Sequence, residues 1–313
     1  MDRTSVDWKG YFPALTTPFH PDGSLDLEGW TRLLRWMGDQ RMHGVVVAGT
    51  TGEWFSLSDR ELAALFRRAG EILAGRMTLI AGVNSFHAQT SLAKARLAAE
   101  SGFDGLLLTP PPYVKPSARE IAVFYADVAA AAPLPICLYN WPPGTHVDMT
   151  PDLLADLAEL DTVVALKNST PHWDRFLISV ERLHTRLRLF GIPTNDEGIA
   201  LFQAGKADGL MGAGAVLGSD HPDFFDAIWD GDIERARRLG QRDRKLMTDW
   251  FTPGFTGRFG SAQAILKTAL DLRGLPGGPV RRPLLDLDRA GRDAVRRTLV
   301  DLGLPVASAD ATP

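Results

Sequence analysis

Short apolar runs rich in β-branched residues alternate with longer amphipathic runs from the N-terminus to Gly212, and this alternation constrains the fold more than any other feature. The apolar runs predict strands that end near Thr17, Gly49, Gly82, Leu108, Tyr139, Lys167, Gly191 and Gly212. Successive ends lie 21 to 33 residues apart, which leaves room for one strand, one helix and two short loops. Strands that alternate with helices form parallel sheets, and eight such units predict a closed (β/α)8 TIM barrel of the α/β class.

The sequence after Gly212 predicts helices only, near residues 221–230, 232–250, 260–273 and 286–302. The first of these would close the barrel as its eighth helix. We therefore expect a barrel over residues 1–230 and a C-terminal helical region over residues 231–313, whose small, polar tail from Pro305 to Pro313 is expected to fray.

The composition is ordinary for a globular protein and excludes several classes. Hydrophobic residues make up 45% of the 313 residues, which excludes disorder, and a net charge of −4 does not favour nonspecific nucleic-acid binding. A single cysteine cannot form an internal disulfide, and no stretch approaches the ~20 apolar residues that cross a bilayer. Because the N-terminus also lacks the layout of a signal peptide, we expect a cytoplasmic protein that binds neither nucleic acid nor membranes.

Lys167 is the most informative residue, because four apolar residues carry it to the end of the sixth predicted strand. Catalytic groups of such barrels lie at the C-terminal ends of the strands. Burial there disfavours the charged ammonium and lowers the pKa of the lysine, so that the neutral amine can attack a ketone and form a Schiff base. Taken alone, the segment is more typical of a lysine that leaves its strand into solvent.

Two neighbouring loops supply complementary groups. The loop Gly49–Glu53 follows the second predicted strand, and its glycines, hydroxyls and exposed N–H groups could hold a carboxylate. Tyr139 ends the strand before that of Lys167, where a phenol could move protons to and from a substrate. The alternative for the loop is an ordinary turn, and the alternative for Tyr139 is a tyrosine that only packs against its neighbours. The amine, the phenol and the anion loop at three strand ends are together far more specific than any one of them.

The remaining candidates carry weaker signals. The seven histidines lack metal-ligand spacing, and Gly212-Ala213-Gly214 lacks the third glycine of a dinucleotide loop, so we expect neither a metal nor a cofactor. His146 and His172 lie near the predicted mouth of the barrel and are candidates for substrate contact. The basic run Arg235–Lys245 also contains acidic residues, which predicts a solvated helix face.

The chain resembles the family of dihydrodipicolinate synthase and N-acetylneuraminate lyase, the Schiff-base-forming class I pyruvate aldolases, from about Gly10 to Leu304. The matching motifs are Ala14–Phe19, Asp22-Gly23, Gly49–Glu53, Leu57-Ser58 with Glu61, Thr109-Pro110-Pro111, Tyr113, Lys115-Pro116-Ser117, Tyr139-Asn140, Pro142, Thr145, Lys167 and Arg282-Pro283-Leu284. The resemblance implies a (β/α)8 barrel, a C-terminal helical region and a homotetramer built as a dimer of dimers.

The resemblance also implies the catalytic roles. Lys167 would be the Schiff-base lysine, and Tyr139 would be the proton shuttle that also contacts the bound keto acid. Thr50 would hydrogen-bond Tyr139 and connect it to a second tyrosine. Tyr113 matches the tyrosine that, in the synthase branch, reaches into the site of the neighbouring subunit.

The substrate-binding residues implied or expected at the mouth are Gly49, Thr51, Gly52, Trp141, Gly144 and Gly214, with Thr51 and its loop on the carboxylate of pyruvate. Gly144 departs from the synthase branch, which has at this position an arginine that holds the carboxylate of the second substrate. Loss of that guanidinium removes a bidentate clamp, which argues against dihydrodipicolinate synthase activity. Trp141 adds aromatic surface, which favours a bulkier second substrate or simply packs the loop.

The sequence therefore predicts a cofactor-free lyase of the class I aldolase type that acts on pyruvate or a 2-keto acid, by cleavage or by condensation with an aldehyde. Three alternatives remain open. A dehydratase of a 2-keto-3-deoxy sugar acid would use the same imine and expel water. A hydratase-aldolase for an aromatic 2-keto acid is favoured only by the tryptophans. A non-catalytic binding protein on an aldolase scaffold is disfavoured by the retained amine, phenol and carboxylate loop.

Overall fold

Eight short strands form the central sheet in a computed structural model, which describes residues 1–307. The strands are β1 (Gly10–Tyr11), β2 (Gly44–Val47), β3 (Thr78–Gly82), β4 (Gly105–Leu108), β5 (Ile136–Asn140), β6 (Val163–Asn168), β7 (Arg188–Phe190) and β8 (Gly209–Leu210). All neighbours pair in parallel in the order β1-β8-β7-β6-β5-β4-β3-β2. Ala14 bridges both Val46 and Ala213, which joins the two ends of the sheet and confirms the predicted (β/α)8 barrel.

Helices follow the strands and enclose the sheet. They are α1 (Leu27–Asp39), α2 (Asp59–Leu73), α3 (Ala88–Glu100), α4 (Ala118–Ala129), α5 (Pro142–Thr145), α6 (Pro151–Ala158), α7 (Trp173–Leu183), α8 (Asp196–Gln203), α9 (Asp220–Trp229), α10 (Ile233–Trp250), α11 (Ala262–Leu272) and α12 (Arg289–Asp301). Residues 3–5 and 54–56 form single 3-10 turns. The four helices predicted after Gly212 correspond to α9 to α12, with bounds that differ by at most three residues at either end.

Local sequence signals explain where several helices begin. The Ser58 hydroxyl accepts the N–H of Glu61, and the Glu61 carboxylate accepts the N–H of Ser58. These two reciprocal bonds form a capping box at the start of α2. The Thr150 hydroxyl caps α6 in the same way, with Pro151 at the first helical position. These caps satisfy N–H groups that have no partner within the helix, so they fix the points at which the chain leaves each loop.

The strands at the seam of the barrel end earlier than the sequence pattern predicts. β1 ends at Tyr11 rather than near Thr17, because Pro13 has no N–H to donate to the ladder. The chain still runs along the sheet beyond it, since the Ala14 N–H donates to Gly212 at 2.8 Å and the Leu15 N–H to Val46 at 2.9 Å. β8 ends at Leu210 rather than near Gly212. The chain at the seam therefore follows the expected course, and only the regular strand pairing of β1 and β8 is shorter than predicted.

The C-terminal helices pack over one end of the barrel. Trp250 of α10, Ile265 of α11 and Leu299 of α12 share an apolar cluster with Val216 and Leu217 of the loop between β8 and α9. The division of the chain into a barrel that ends at residue 230 and a C-terminal region that begins at residue 231 stays a prediction. The fraying expected for the tail falls largely on residues 308–313, outside the described part of the chain. No helix among residues 1–307 is both long enough and apolar enough to cross a membrane.

Candidate active site

Lys167 and Tyr139 lie side by side at the ends of β6 and β5. The two residues are partners in the parallel register of these strands, so the sheet itself sets their separation. The Lys167 Nζ atom lies 4.2 Å from the centre of the Tyr139 ring. Both side chains are nearly buried, with 6% and 5% of their surfaces exposed. The sequence prediction that these two groups meet is thus confirmed in geometry.

Burial changes the acid–base properties of this pair in opposite senses. Loss of hydration lowers the pKa of Lys167 to about 8, because the interior disfavours its charged form. At pH 7 about a tenth of such amines are neutral, far more than for a solvated lysine. Burial raises the pKa of Tyr139 above its usual value, while hydrogen bonding with Thr50 and Ser169 opposes that rise. The tyrosine therefore stays a neutral proton donor while part of the lysine is nucleophilic.

The loop Gly49–Glu53 brings Thr50 and Thr51 to the same place. Ala48 and Glu53 have φ angles of 54° and 55°, so the chain turns sharply on either side of the two threonines. A Cβ atom at Gly52 would lie 3.0 Å from the Leu15 carbonyl, which explains why only glycine fits this turn without displacing a strand. The compact turn presents the two hydroxyls toward β5 and β6.

A buried ion pair fixes the other end of this loop. Glu53 and Lys267 of α11 are 0% and 1% exposed, and the Lys267 Nζ donates to Glu53 Oε1 at 2.7 Å. The second carboxylate oxygen accepts the N–H of Arg281 at 3.0 Å. Gln263, also on α11, donates to the Thr50 carbonyl at 2.9 Å. The C-terminal helices thus hold the loop that carries two of the predicted site residues.

The loop after β5 is organised by Asn140. The Asn140 amide donates to Asp148 at 2.9 Å and to Asn168 at 3.1 Å, and its oxygen accepts the N–H of Met149 at 3.0 Å. The Trp141 ring stacks parallel to the Tyr139 ring, with centres 6.5 Å apart. A Cβ atom at Gly144 would lie only 2.3 Å from the Trp141 ring. The indole therefore occupies the space that a side chain at position 144 would need.

A cavity of about 470 Å³ opens above Lys167. This volume lies within the range of roughly 300–1,000 Å³ that is usual for small-molecule sites. One side, which we call the strand wall, consists of Thr50, Thr51, Tyr139, Lys167 and Ser169. A second set of lining residues, which we call the helix wall, consists of Arg244, Met247, Phe251, Phe255 and Gln263, from α10 to the start of α11. The cavity thus joins a nucleophilic amine, a phenol and three hydroxyls to a wall that is largely apolar.

Five of the ten predicted site residues line this cavity and five do not. Lys167, Tyr139, Thr50, Thr51 and Trp141 line it. The other five lie elsewhere: Gly49 and Gly52 shape the turn, Gly144 lies beneath Trp141, Gly214 accepts the Tyr11 hydroxyl at 2.6 Å, and Tyr113 is 87% exposed outside the cavity. Their substrate-binding and catalytic roles stay predictions. His146 and His172 are exposed and do not line the cavity.

Sequence reasoning missed the residues that β1, α9, α10 and α11 bring to the site. These are Tyr11, His221, Asp243, Arg244 and Gln263, which all line the cavity. Arg244 lies within the basic run that predicted a solvated helix face. It is exposed to solvent, as predicted, but it also lines the cavity. Spacing along α10 could have grouped residues 240, 244, 247 and 251 on one face, yet nothing in the pattern shows which way that face points.

No group of three or more His, Cys, Asp or Glu side chains within residues 1–307 could hold a metal ion. Cys137 is buried within β5, and burial raises the pKa of its thiol to about 12. A thiol so rarely ionised is a poor nucleophile, and its burial indicates that it packs in the core. The nucleophile that the described site offers is the Lys167 amine.

Comparison with known proteins places these features in a family. Residues 7–302 match the model of the dihydrodipicolinate synthetase family. An uncharacterized DapA-like lyase of Rhizobium meliloti is 32% identical over 288 residues, which cover 91% of this chain and 93% of the relative. The 4-hydroxy-tetrahydrodipicolinate synthase of Moorella thermoacetica is 32% identical over 302 residues, which cover 96% of this chain and 100% of the relative.

Solved structures show the same architecture. Dihydrodipicolinate synthase from Aquifex aeolicus superposes with a TM-score of 0.85 at 28% identity and covers 96% of this chain and 100% of its own. The chloride-inhibited dihydrodipicolinate synthase from Acinetobacter baumannii, solved with pyruvate bound, also superposes with a TM-score of 0.85, at 26% identity, over 95% of this chain and 99% of its own. The similarity therefore spans both the barrel and the C-terminal helices.

Proposed function

The chain belongs to the dihydrodipicolinate synthetase family of lyases, and we propose that it acts by forming a Schiff base between Lys167 and pyruvate or a longer 2-keto acid. The observation that carries this proposal is the position of the Lys167 amine, which is nearly buried, lines the cavity and lies 4.2 Å from the Tyr139 ring centre. A pyruvate complex of the synthase from Acinetobacter baumannii supports the keto acid as the common substrate.

In the proposed reaction, Lys167 forms the covalent intermediate. The neutral Lys167 amine attacks the ketone carbon, and loss of water leaves a protonated imine. The imine draws electrons from the adjacent carbon, which loses a proton to form an enamine. The enamine carbon attacks the aldehyde carbonyl, and water then hydrolyses the imine to release the product and free the lysine. Cleavage is the same sequence reversed.

Tyr139 moves the protons in these steps, and the hydroxyls beside it orient the substrate. Thr50 lines the cavity together with Tyr139, and a hydrogen bond between their hydroxyls would keep the phenol in one orientation through the cycle. Thr51 and the N–H groups of the Gly49–Glu53 loop would hold the carboxylate of the keto acid. Fixing that carboxylate places the ketone against Lys167 and makes the attack effectively unimolecular. We propose that no metal or organic cofactor takes part.

The second substrate differs from that of a dihydrodipicolinate synthase. Trp141 fills the space next to Gly144, so no guanidinium can project from position 144 while the indole stays in place. A carboxylate clamp on this loop is therefore absent among the described residues. We propose a condensation or cleavage partner other than that of the synthases.

The aromatic groups of the cavity favour one alternative over the others. Trp141 lies on one side, and Phe251 and Phe255 lie on the helix wall. A hydratase-aldolase for an aromatic 2-keto acid would use the same imine and would place its ring against these side chains. The dehydratase of a 2-keto-3-deoxy sugar acid needs hydroxyl-binding groups in the same space, and Arg244, Ser261 and Gln263 could supply them, so this activity stays an alternative.

We further propose that the chain assembles into a homotetramer, a dimer of dimers, in the cytoplasm. Tyr113 is 87% exposed and the neighbouring Val114 is 73% exposed, although both are large hydrophobic residues. The φ angle of Tyr113 is 80°, a strained value that a non-glycine residue keeps only where the surroundings require it. Contact of this tyrosine with the site of a neighbouring subunit would account for both features.

Borohydride trapping tests the proposed function directly. Incubation with pyruvate followed by reduction should give one stable adduct on Lys167, read by mass spectrometry of the digested protein. Lys167→Ala should give no adduct and no aldol cleavage, because the nucleophile is gone. Absence of an adduct in the wild type with pyruvate and several longer 2-keto acids would overturn the proposal.

Lys94 provides the matched control for this experiment. Burial lowers its pKa too, but its Nζ atom donates to the Asn84 carbonyl at 2.8 Å and lies 5.1 Å from the Trp54 ring centre, away from the cavity. Lys94→Ala should keep the full adduct on Lys167. An adduct on Lys94 in the wild type would mean that a lowered pKa alone, rather than the site, selects the reactive lysine.

A further inference from the structure

We propose that Arg244 binds an anionic group at the far end of the substrate, so that the partner of the keto acid carries a carboxylate or a phosphate. This inference rests on the proposed function and assigns the specificity of the same cavity. Arg244, on the helix wall, lines the same cavity as Lys167.

A close approach of α10 to the loop after β7 sets the position of Arg244. A Cβ atom at Gly240 would lie 2.1 Å from the Thr194 carbonyl, so glycine at this position allows the helix to pack directly on the loop. The Thr194 hydroxyl donates to Asp243 at 2.8 Å, which fixes the rotation of the helix. Arg244, the next residue, consequently projects from a fixed point on the cavity wall.

Asp243 forms no ion pair with Arg244 among the described residues, because its carboxylate faces other partners. One oxygen accepts the Thr194 hydroxyl, and the other lies 3.1 Å from His221 Nε2. The His221 ring in turn stacks on Tyr11 with ring centres 4.0 Å apart. Asp243 is the only acidic residue that lines the cavity among residues 1–307. The described cavity therefore contains a guanidinium that is not paired with a carboxylate.

The other cations of the helix show that a free guanidinium facing the cavity is unusual. Arg235 pairs with Asp223, Arg237 with Asp196 and Glu234, Arg242 with Asp220, and Lys245 with Asp249. Across the described part of the chain, Arg244 and Arg238 form no such pair, and of these two only Arg244 lines the cavity. An exposed arginine in a concave site can form two parallel hydrogen bonds to a carboxylate or a phosphate.

The size and chemistry of the space between the two walls indicate an extended substrate. The cavity volume of about 470 Å³ far exceeds what pyruvate alone would fill. Lys167 and Arg244 line the same cavity, together with the apolar side chains of Trp141 and Met247. A molecule with a 2-keto acid at one end, an apolar middle and an anion at the other end matches this set of groups.

Titration with paired 2-keto acids tests Arg244 without requiring a known aldehyde. 2-Oxoadipate and 2-oxohexanoate have the same chain length and differ in the distal carboxylate. Borohydride trapping on Lys167 at increasing concentration gives a half-saturating concentration for each compound. We expect the wild type to saturate at lower concentration with the dicarboxylate. Arg244→Gln should raise that concentration by about 10- to 100-fold, the usual effect of losing a charge-assisted hydrogen bond, and leave 2-oxohexanoate unchanged.

Further compounds and variants distinguish carboxylate from phosphate and locate the distance between Lys167 and the anion that Arg244 binds. Shorter and longer dicarboxylic 2-keto acids locate the reach of Arg244 from Lys167. A 2-keto-3-deoxy sugar acid with and without a terminal phosphate shows whether phosphate is preferred to carboxylate. Arg244→Lys should recover part of the discrimination, since it keeps the charge but not the bidentate geometry. Arg238→Gln, on the same helix but outside the cavity, should behave as the wild type.

Each outcome decides one of the two proposals. An equal rise for anionic and neutral compounds in Arg244→Gln, or no preference for any anion in the wild type, would show that Arg244 does not select the substrate. Pyruvate itself should still form the adduct in Arg244→Gln, because the keto-acid end does not involve this residue. Failure of the wild type to trap pyruvate would instead overturn the Schiff-base function, and the subsite would fall with it.

Discussion

The two walls of the cavity differ in how they are built. On the strand wall, parallel pairing fixes Tyr139 beside Lys167, and a buried ion pair fixes the neighbouring loop. On the helix wall, Arg244 and Phe255 come from a helix and a connecting segment, and both are exposed at the mouth. The first wall is a continuous hydrogen-bonded structure, whereas the second is a set of side chains on elements packed against the barrel.

This difference separates chemistry from selection. Changing a residue of the strand wall disturbs groups that depend on one another, because amine, phenol and hydroxyl share one small buried volume. Changing an exposed residue of the helix wall disturbs only what the substrate meets at that point. A family that keeps one reaction and varies its substrates can therefore do so on the helix wall at little cost to folding. The following predictions test whether the two walls are separable in this way.

The largest expected effect is on turnover, from Tyr139→Phe. Loss of a positioned proton donor usually slows a reaction by ~10²–10⁴-fold. The Lys167 amine remains, so the pyruvate adduct should still form on borohydride reduction while aldol cleavage falls by that factor. Steady-state kinetics beside mass spectrometry measures both. Full turnover in this variant would show that the phenol is not the proton shuttle, and loss of the adduct would show that it mainly holds Lys167 in place.

The next effect is on stability, from Lys267→Met. Removal of the ammonium leaves the Glu53 carboxylate buried without its counter-charge, which typically costs about 3–5 kcal/mol in the free energy of unfolding. Urea denaturation measures this loss. Because the unpaired charge is the cause, Lys267→Met combined with Glu53→Gln should be more stable than Lys267→Met alone. The glutamine oxygen can still accept the Arg281 N–H.

Lys206 provides the control for that substitution. Its Nζ atom pairs with Glu181 at 2.7 Å on the protein surface, where solvent screens the attraction. Lys206→Met should leave the urea midpoint almost unchanged. If Lys206→Met and Lys267→Met lower the midpoint equally, burial of the pair is not what stabilises the loop.

The smallest effect concerns the pH dependence of imine formation. The pKa of Lys167 is lowered to about 8, so the amine is protonated below that pH and neutral above it. The rate of trapping with pyruvate should rise about tenfold per pH unit toward pH 8 and level off above it. Arg244→Gln should show the same midpoint, because burial rather than Arg244 causes the shift. A midpoint near that of free lysine, or one that moves with Arg244, would contradict the separation of the walls.

The sequence predicted most of the fold because alternating runs of fixed length leave few arrangements. Strands β3 and β4 end where the pattern places them, at Gly82 and Leu108. Lys167 and Tyr139 could be placed together because the carboxyl ends of neighbouring parallel strands meet at one edge. The early end of β1 follows from Pro13, whose effect on the ladder depends on pairing partners that the local pattern does not specify.

The helix wall was beyond prediction for a physical reason. The alternation of charges along α10 is correct for a solvated face, and four of its cations do form surface ion pairs. Which turn of that helix borders the cavity depends on the close contact between Gly240 and Thr194, residues from distant parts of the chain. The pairing of Glu53 with Lys267 is hidden for the same reason, since a local pattern contains no information about packing across the fold.

The separation of 214 residues between Glu53 and its partner has a consequence for biosynthesis. The loop with the two threonines leaves the ribosome long before α11, the helix that neutralises its carboxylate. Until α11 follows, the nascent chain has a glutamate that it cannot bury, so the barrel cannot close fully around that turn. Products that lack α11 should therefore remain open to proteases and chaperones, and ligand binding should begin only once α11 has docked.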